Sequence, residues 1–214
     1  MNSATPALPE FDRPPIVEAV LSIQFAAPAN FRSVHAGLIW DEIRRDYPTV
    51  SEQRPLAPVF ETFGIPTIPG PGVRFEPLLA TPMARFWFES DDSRHLLQIQ
   101  QDRIVHNWRK RTLDDEYPRY QAVRERFAEE VKILEGFLTR NGLDGLMPNQ
   151  CEMTYLNFVT LPDGANPHQN LSRVTRFCSD CQAPELERPF QGAALEGCSF
   201  AARYIKIYNE RDCN

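Results

Sequence analysis

The stretch Met83–Arg111 reads MARFWFESDDSRHLLQIQQDRIVHNWRKR. Its residues alternate with a period of two, which places successive side chains on opposite faces of a strand. In the first strand the two sets are Phe86 and Phe88 on one side, and Arg85, Trp87 and Glu89 on the other. Turn residues follow at Asp91–Ser93 and again at Gln101-Asp102. The stretch predicts three short antiparallel strands with an aromatic-rich face, and it shows no catalytic motif.

Elements of both kinds are predicted around this meander. Ile16–Phe25 alternates in the same way and predicts a strand. Phe31–Tyr47 predicts a helix that ends at Pro48, because the residue before a proline avoids helical backbone angles. Its inward face is expected to contain Phe31, Val34, Leu38, Ile39 and Ile43. A second helix starts at Pro118 and ends at Asn141-Gly142, with apolar residues at intervals of three and four: Tyr120, Val123, Phe127, Val131, Leu134 and Leu138.

The region between Pro48 and Pro82 is rich in proline and glycine and is the least regular part of the chain. Two short strands are predicted within it, at Val59–Phe63 and at Val73–Leu79. Pro77 confines the second of these strands to a sheet edge or a bulge.

The last part of the chain begins with a clear strand and then loses its pattern. Cys151–Leu161 has apolar residues on both alternating faces, which predicts a central strand covered on both sides. Asn170–Phe177 predicts a short strand or helix, and Ser199–Tyr208 a strand.

The order of these elements is strand, helix, several strands, long helix, strand. Helices in such an order cover one face of an antiparallel sheet. The predicted fold class is therefore α+β, with two main helices packed on one face of the sheet. The predicted organisation is a flexible lead over residues 1–15, a domain over residues 16–161 and a C-terminal extension over residues 162–214.

Composition narrows the class of protein. With 214 residues, of which 42% are hydrophobic, the chain can bury a core of its own. A net charge of −6 argues against a protein whose main role is to hold phosphate backbones. Met1–Glu10 has neither the basic region nor the apolar core of a secretory signal, and no apolar run reaches the length of a membrane span. We therefore expect a cytoplasmic protein whose five cysteines are reduced.

Five motifs carry a family resemblance. They are PPIVEAVL at Pro14–Leu21, RFWF at Arg85–Phe88, LLQIQQDRIVHNWR at Leu96–Arg109, YPRY at Tyr117–Tyr120 and CEMTY at Cys151–Tyr155. With these motifs, residues 14 to 160 resemble a sporadically distributed family of uncharacterised bacterial proteins. The resemblance implies a bacterial, cytosolic, standalone protein and implies no activity. Because members of that family are longer, the C-terminus is expected to be shortened or divergent here.

The polar residues of the meander form the strongest candidate binding surface. Trp87, Gln98, Gln100, Arg103, Asn107 and Arg109 are expected to line one solvent-facing side of the sheet. Amides read hydrogen-bonding edges and flat groups stack, so such a surface suits a peptide, a nucleotide or a single-stranded nucleic acid. The alternative is that these residues are simply the wet face of an antiparallel sheet.

Catalytic and metal chemistry has weaker support. Glu18, Glu89, Asp102 and Glu152 lie on or beside predicted strands and could join Lys110 in a metal-dependent nuclease centre, although nothing shows that they converge. Zinc could bind the late cysteines, whose spacing departs from two close pairs: Cys178, Cys181, Cys198 and Cys213. The histidines show no catalytic spacing, but side chains distant in sequence can converge: His35, His95, His106 and His168.

Three functions remain open from the sequence. The first is a non-enzymatic binding or interaction protein with a protein partner, in a setting such as a bacterial defence or toxin-control pair. The second is a small-molecule or nucleotide-binding domain that uses the sheet face, and the third is a metal-dependent hydrolase. No cofactor other than zinc is suggested, and no membrane partner is expected.

Overall fold

The structure is a computed structural model that describes residues 11–59, 83–161, 163–165 and 170–174. In chain order, these residues form β1 (Ile16–Phe25), α1 (Ser33–Ile43), β2 (Thr49–Gln53), β3 (Arg85–Glu89), β4 (His95–Gln100), β5 (Arg103–Arg109), α2 (Arg119–Arg140), β6 (Pro148–Asn157) and α3 (Leu171–Val174). The described strands make one antiparallel sheet in the order β2-β3-β4-β5-β1-β6. The predicted α+β class is confirmed.

The apolar core lies between one face of the sheet and the two main helices. Large apolar side chains of the sheet meet those of the helices in one cluster, which includes Phe88, Leu97 and Ile104 from the strands with Ile39 and Leu134 from the helices. Each of these side chains is at most 2% exposed. Burying a large apolar side chain stabilises a fold by about 1.5–3 kcal/mol, so this cluster is the main source of stability.

The two helices differ in how well their inward faces were predicted. In α2, Val123, Phe127, Leu134 and Leu138 are buried as expected, while Tyr120 is 43% exposed. In α1 the expectation was wrong for two residues, since Val34 is 66% and Leu38 is 49% exposed. The buried stripe of α1 contains Ile39 and Ile43, as predicted, together with Ala36, which lies at the same helical spacing.

The end of α2 follows the sequence signal. Gly142 has a φ of 62°, a left-handed conformation that glycine adopts without a steric penalty. Its N–H donates to Thr139 O at 3.2 Å, and Leu143 N–H donates to Leu138 O at 2.9 Å. These bonds satisfy carbonyl groups that the last turn of a helix would otherwise leave unpaired.

The proline-rich region differs from the prediction where the structure describes it. Thr49–Gln53 forms β2, which was not predicted because its polar sequence lacks strand alternation. Val59 belongs to no strand, and the rest of the predicted strands at Val59–Phe63 and Val73–Leu79 lies outside the described residues.

The chain divides into two compact units, Met1–Phe158 and Val159–Asn214. In the second unit, α3 lies within the predicted short element at Asn170–Phe177, and Arg173 Nη1 is 2.8 Å from Asp163 Oδ2. The predicted strand at Ser199–Tyr208 lies outside the described residues. Of the helices described here, none combines the length and the apolar character needed to cross a membrane.

Candidate functional site

The six residues of the predicted binding surface lie on one face of the sheet, opposite the helices. Pairing places Trp87 beside Gln98, Gln100 beside Arg103 and Leu96 beside Asn107. Because side chains alternate along each strand, this register puts the whole set on the same side. We call it the polar face: Trp87, Gln98, Gln100, Arg103, Asn107 and Arg109.

The polar face is not a wet surface, which corrects the expectation that it faces solvent. Gln98, Gln100 and Asn107 are each 6% exposed and Arg103 is 8% exposed, while Trp87 and Arg109 are half-buried. The simpler alternative, a solvated back of the sheet, is wrong for the same reason. Buried amides cost free energy unless they are hydrogen-bonded, so the partners of these groups matter.

One set of partners is a chain of side chains that crosses four strands. Asn107 Nδ2 donates to Glu18 Oε1 at 2.6 Å, and Gln98 Nε2 donates to Asn107 Oδ1 at 2.6 Å. Gln98 Oε1 accepts from both Arg85 Nη1 at 2.9 Å and Trp87 Nε1 at 3.0 Å. The amides of Gln98 and Asn107 are therefore hydrogen-bonded to each other and to side chains of the flanking strands β1 and β3.

The second set of partners is the main chain of residues 54–59, which we call the strap. Gln100 Oε1 accepts from Leu56 N–H at 2.8 Å and Gln100 Nε2 donates to Leu56 O at 2.9 Å. Gln24 makes the same pair of bonds to Val59, at 2.9 and 3.0 Å. Arg103 Nη2 donates to Ala57 O at 3.3 Å and to Gln24 Oε1.

These bonds hold the strap by its backbone alone. All six strap side chains are exposed, so their identity contributes little to these contacts. Each glutamine amide presents one acceptor and one donor, as a neighbouring strand would, and so can hold an extended polypeptide of any sequence. The polar face thus contacts a segment of its own chain, the strap, through bonds of the kind that a peptide-binding surface makes to a peptide.

Three arginines on this side retain unused donors. The Nε atoms of Arg85, Arg103 and Arg109 are buried without a hydrogen-bond partner in the described part of the chain. Burial lowers the pKa of Arg85, and the positive charge of Arg103 lowers it further. Arg109 Nη2 is paired with Glu89 and also donates to Ser93 O at 3.2 Å. Buried guanidinium groups with spare donors are suited to an anion.

On the opposite face, a buried cluster of titratable residues lies between the sheet and α2, and the sequence reading missed it. His106 Nδ1 is 2.9 Å from both carboxylate oxygens of Glu130, and Tyr47 OH donates to Glu130 Oε1. Arg126 Nε donates to Tyr47 OH at 3.1 Å, and His95 Nδ1 is 3.3 Å from His106 Nε2. We call these five residues the Glu130 cluster.

The hydrogen bonds of the Glu130 cluster place one proton between His106 and Glu130. A carboxylate can only accept, so the Nδ1 of His106 carries the proton that is directed at Glu130. The contact between His95 Nδ1 and His106 Nε2 needs one proton, which either ring can supply. Burial, and then the charge of Arg126, lower the pKa of His95 to about 4, so His95 is neutral at pH 7.

Burial is close to complete at three members of this cluster, while His95 and Arg126 are half-buried. His106 is 0%, Tyr47 2% and Glu130 5% exposed, and burial together with the charge of Glu130 raises the pKa of Tyr47. The arrangement can orient a proton along Glu130, His106 and His95. It also connects Tyr47, which follows α1, to β4, β5 and α2. Sequence signals for it did exist, because Glu130 occupies an apolar position of the α2 stripe and His106 alternates with Ile104 and Trp108.

The predicted acidic metal ligands do not converge. Glu18 accepts from Asn107, Glu89 is paired with Arg109, Asp102 accepts from Gln100 at 2.8 Å, and Glu152 accepts from Thr154 at 2.9 Å. Among the described residues, no group of three or more acids, histidines and cysteines could hold a metal ion. The candidate zinc ligands lie outside the described residues: Cys178, Cys181, Cys198 and Cys213.

The strand predicted to be central lies at an edge of the described sheet instead, which is a second correction. Within the described sheet, β6 pairs with β1 and no described strand flanks its other side. Tyr155 is 40% and Leu156 43% exposed, although they lie on opposite faces. The sequence pattern of β6 is that of a strand covered on both sides, and the described chain leaves both sides open.

The register shows which main-chain groups of β6 face outward. Phe25 N–H donates to Asp102 O at 2.9 Å and Lys110 N–H donates to Val17 O at 2.7 Å, so odd-numbered residues of β1 bond to β5. Even-numbered residues of β1 therefore bond to β6, and their partners are Gln150, Glu152, Thr154 and Leu156. The N–H and C=O groups of the alternate residues point away from the sheet: Cys151, Met153 and Tyr155.

The opposite edge of the sheet, β2, is built differently. It has five residues against ten in β6, and its sequence TVSEQ follows Pro48 and precedes Arg54-Pro55. Ser90 N–H donates to His95 O at 3.0 Å, so even-numbered residues of β3 bond to β4 and odd-numbered ones to β2. The outward N–H groups of β2 thus belong to Val50 and Glu52. A short, polar, proline-flanked strand is a common protection against unwanted strand pairing. β6 is twice as long, and its one proline, Pro148, lies at its first position.

Comparison of the chain with known proteins found no matching family model, no matching curated protein and no matching solved structure.

Proposed function

We propose that this chain is a non-enzymatic protein-interaction module that takes up a strand from another protein chain along the outer edge of β6. The observation that carries the proposal is the outward main chain of Cys151, Met153 and Tyr155, in a ten-residue strand that has exposed side chains on both faces. In strand addition, main-chain hydrogen bonds provide affinity and alternate side chains provide specificity.

The apolar surface beside this edge supports the proposal. Four large side chains of β6 and its ends are exposed: Met147 at 69%, Tyr155 at 40%, Leu156 at 43% and Phe158 at 69%. Scattered single apolar residues are ordinary on a protein surface, but a run of them along an open sheet edge is typical of an interaction site. A partner strand would cover both faces at once and supply acceptors and donors to the outward main chain.

The sequence resemblance suggests a biological setting for this activity. A protein partner in a bacterial defence or toxin-control pair, as expected from the sequence, would supply the added strand. The proposal requires that its strand pair with β6.

Two matched proline variants test the proposal. Met153→Pro removes an outward N–H at the centre of β6, and Val50→Pro removes an outward N–H from β2. Proline is tolerated on edge strands when the missing N–H faces solvent, so both variants should fold. We expect wild-type protein and Val50→Pro to retain the same stoichiometric partner from a native-host lysate, untagged copies of this chain included, and Met153→Pro to lose it. Equal capture by all three proteins would contradict the proposal.

The unpartnered arginine donors favour a second candidate, the binding of an anionic small molecule such as a nucleotide at the polar face. Arg85 and Arg103 flank Gln100 from neighbouring strands, and each retains a buried Nε. A ligand that binds the folded state raises the melting temperature by mass action. Nucleotides should stabilise the wild type and the exposed control Arg111→Gln, and should not stabilise Arg103→Gln. If neither the nucleotides nor inorganic phosphate raises the melting temperature of the wild type, this candidate function is wrong.

A further inference from the structure

We infer that the chain at the edge of β6 is a second copy of this protein, whose own β6 runs antiparallel to the first about a two-fold axis at Met153. This inference rests on the proposed function and names the partner. Two six-stranded sheets would then join into one continuous sheet, in which both copies of β6 become the central strands that their sequence predicts.

Hydrogen-bond geometry restricts how two copies of β6 can pair. In an antiparallel pair, residues whose main-chain groups point outward must lie opposite one another. A two-fold axis then produces every such pair twice, once on each side of the axis. An axis at Met153 places Met153 opposite Met153 of the second copy and Cys151 opposite Tyr155 of the second copy. Each of these residues has its N–H and C=O directed outward.

Charge then selects among the registers that geometry allows. β6 contains one charged residue, Glu152. An axis at Glu152 would place two carboxylates directly opposite each other, which destabilises a strand pair. An axis at Met153 places Glu152 opposite Thr154 of the second copy, twice by symmetry. Thr154 already donates from Oγ1 to Glu152 Oε1 at 2.9 Å within the strand, so its hydroxyl is directed toward this carboxylate.

The same register determines which side chains of the two copies meet on the helix side of the sheet. Cys151, Met153 and Tyr155 pair with Ile23, Leu21 and Ala19 of β1, so they lie on the helix side of the sheet. In the proposed pair this side brings together two methionines, with a cysteine and a tyrosine on either flank. The axis at Met153 also keeps residues 149–157 paired, whereas moving it to Tyr155 leaves fewer pairs within the strand.

The first measurement is the mass of the full-length protein in solution over a concentration series. The chain mass is 24.6 kDa, and we expect a species of twice that mass for the wild type and for Val50→Pro. Met153→Pro should be a monomer with an unchanged circular dichroism spectrum. A wild type that stays monomeric throughout, or a dimer that Met153→Pro leaves intact, would overturn the inference.

A cysteine variant tests the register. Residue 153 of one copy faces residue 153 of the other at a separation that a disulfide can span. Under oxidation Met153→Cys should form a covalent dimer, while Thr154→Cys, whose two copies lie diagonally, should form much less. The reverse yield would rule out the axis at Met153.

Hydrogen exchange separates failure of this inference from failure of the proposed function. Suppose the wild type is a monomer with fast exchange at the amides of Cys151, Met153 and Tyr155. If Met153→Pro also abolishes capture of a different protein, the proposed function stands and the second copy is excluded. If these amides are protected in the monomer, the chain covers its own edge, and both proposals fail.

Discussion

The two faces of the sheet bury polar groups by different means. The helix side is an apolar core in which the Glu130 cluster supplies a carboxylate, two imidazoles, a phenol and a guanidinium. The polar face relies mainly on amides, which bond to one another, to charged side chains such as Glu18 and Arg85, and to the main chain of the strap. A buried carboxylate needs several donors and depends on each of them, whereas an amide carries no charge and tolerates the loss of a partner better. Loss of a hydrogen-bond partner on the helix side should therefore lower the free energy of unfolding by more than the same loss on the polar face.

The largest effect is expected at the centre of the Glu130 cluster. Glu130→Ala leaves the Nδ1–H of His106 and the hydroxyl of Tyr47 buried without an acceptor, and we expect a loss of roughly 3 kcal/mol in the free energy of unfolding. Glu129→Ala is the matched control on the same helix, because its pair with Lys132 is exposed. Urea denaturation measures both. Equal effects of the two substitutions would break the distinction between the faces.

The corresponding change on the polar face should cost less. Asn107→Ala removes the acceptor of Gln98 Nε2 and the donor to Glu18, and we expect a loss of about 1–3 kcal/mol in the free energy of unfolding. Glu18 is half-buried and water can replace its lost donor. Gln121→Ala, an exposed amide on α2, should change stability by less than about 0.5 kcal/mol. If Asn107→Ala proves costlier than Glu130→Ala, the polar face is the more demanding one.

A smaller and local effect is expected where the strap crosses the polar face. Gln100→Met removes both side-chain bonds to Leu56, and the exposed main chain can turn to water instead. We expect a cost of about 1 kcal/mol or less. The amide of Leu56 should exchange faster with solvent, while that of Val59, held by Gln24, should stay protected. Loss of protection at both amides would mean that the strap detaches as a unit.

The smallest effect is a dependence of stability on pH that comes from the helix side. The pKa of His95 is lowered from 6.5 to about 4 in the folded protein, so between these values the unfolded chain binds a proton that the folded chain does not. Stability therefore rises with pH in this window, and the contribution is lost as pH falls from 6.5 to 4. Because His95 is partly exposed, we expect a slope below about 1 kcal/mol per pH unit.

A variant isolates this contribution. His95→Gln keeps a side chain that can donate to His106 and does not titrate. Denaturation at a series of pH values should show a shallower slope between pH 4 and 6.5 than in the wild type. An unchanged slope would place the pH dependence elsewhere in the chain.

Much of the fold follows from local sequence. The alternation in Met83–Arg111 and in Ile16–Phe25, together with the spacing of apolar residues in α2, predicts the strands, their faces and the long helix. Strand and helix periods are properties of the backbone, so they can be read without knowing what surrounds them. The polar residues of the meander share one face for the same reason.

Long-range packing decided the remainder. Alternation shows that Gln98 and Asn107 share a side of the sheet, but the strap and the neighbouring strands decide that this side is buried. Glu130 in α2, His106 in β5 and Tyr47 in the loop after α1 come from separate parts of the sequence, so no local spacing predicts that they meet. The pattern of β6 predicts a strand covered on both sides, whereas only the order of the described strands shows it at an edge of the described sheet. Burial depends on what the rest of the molecule brings close to a residue, so the pattern along a single strand does not determine it.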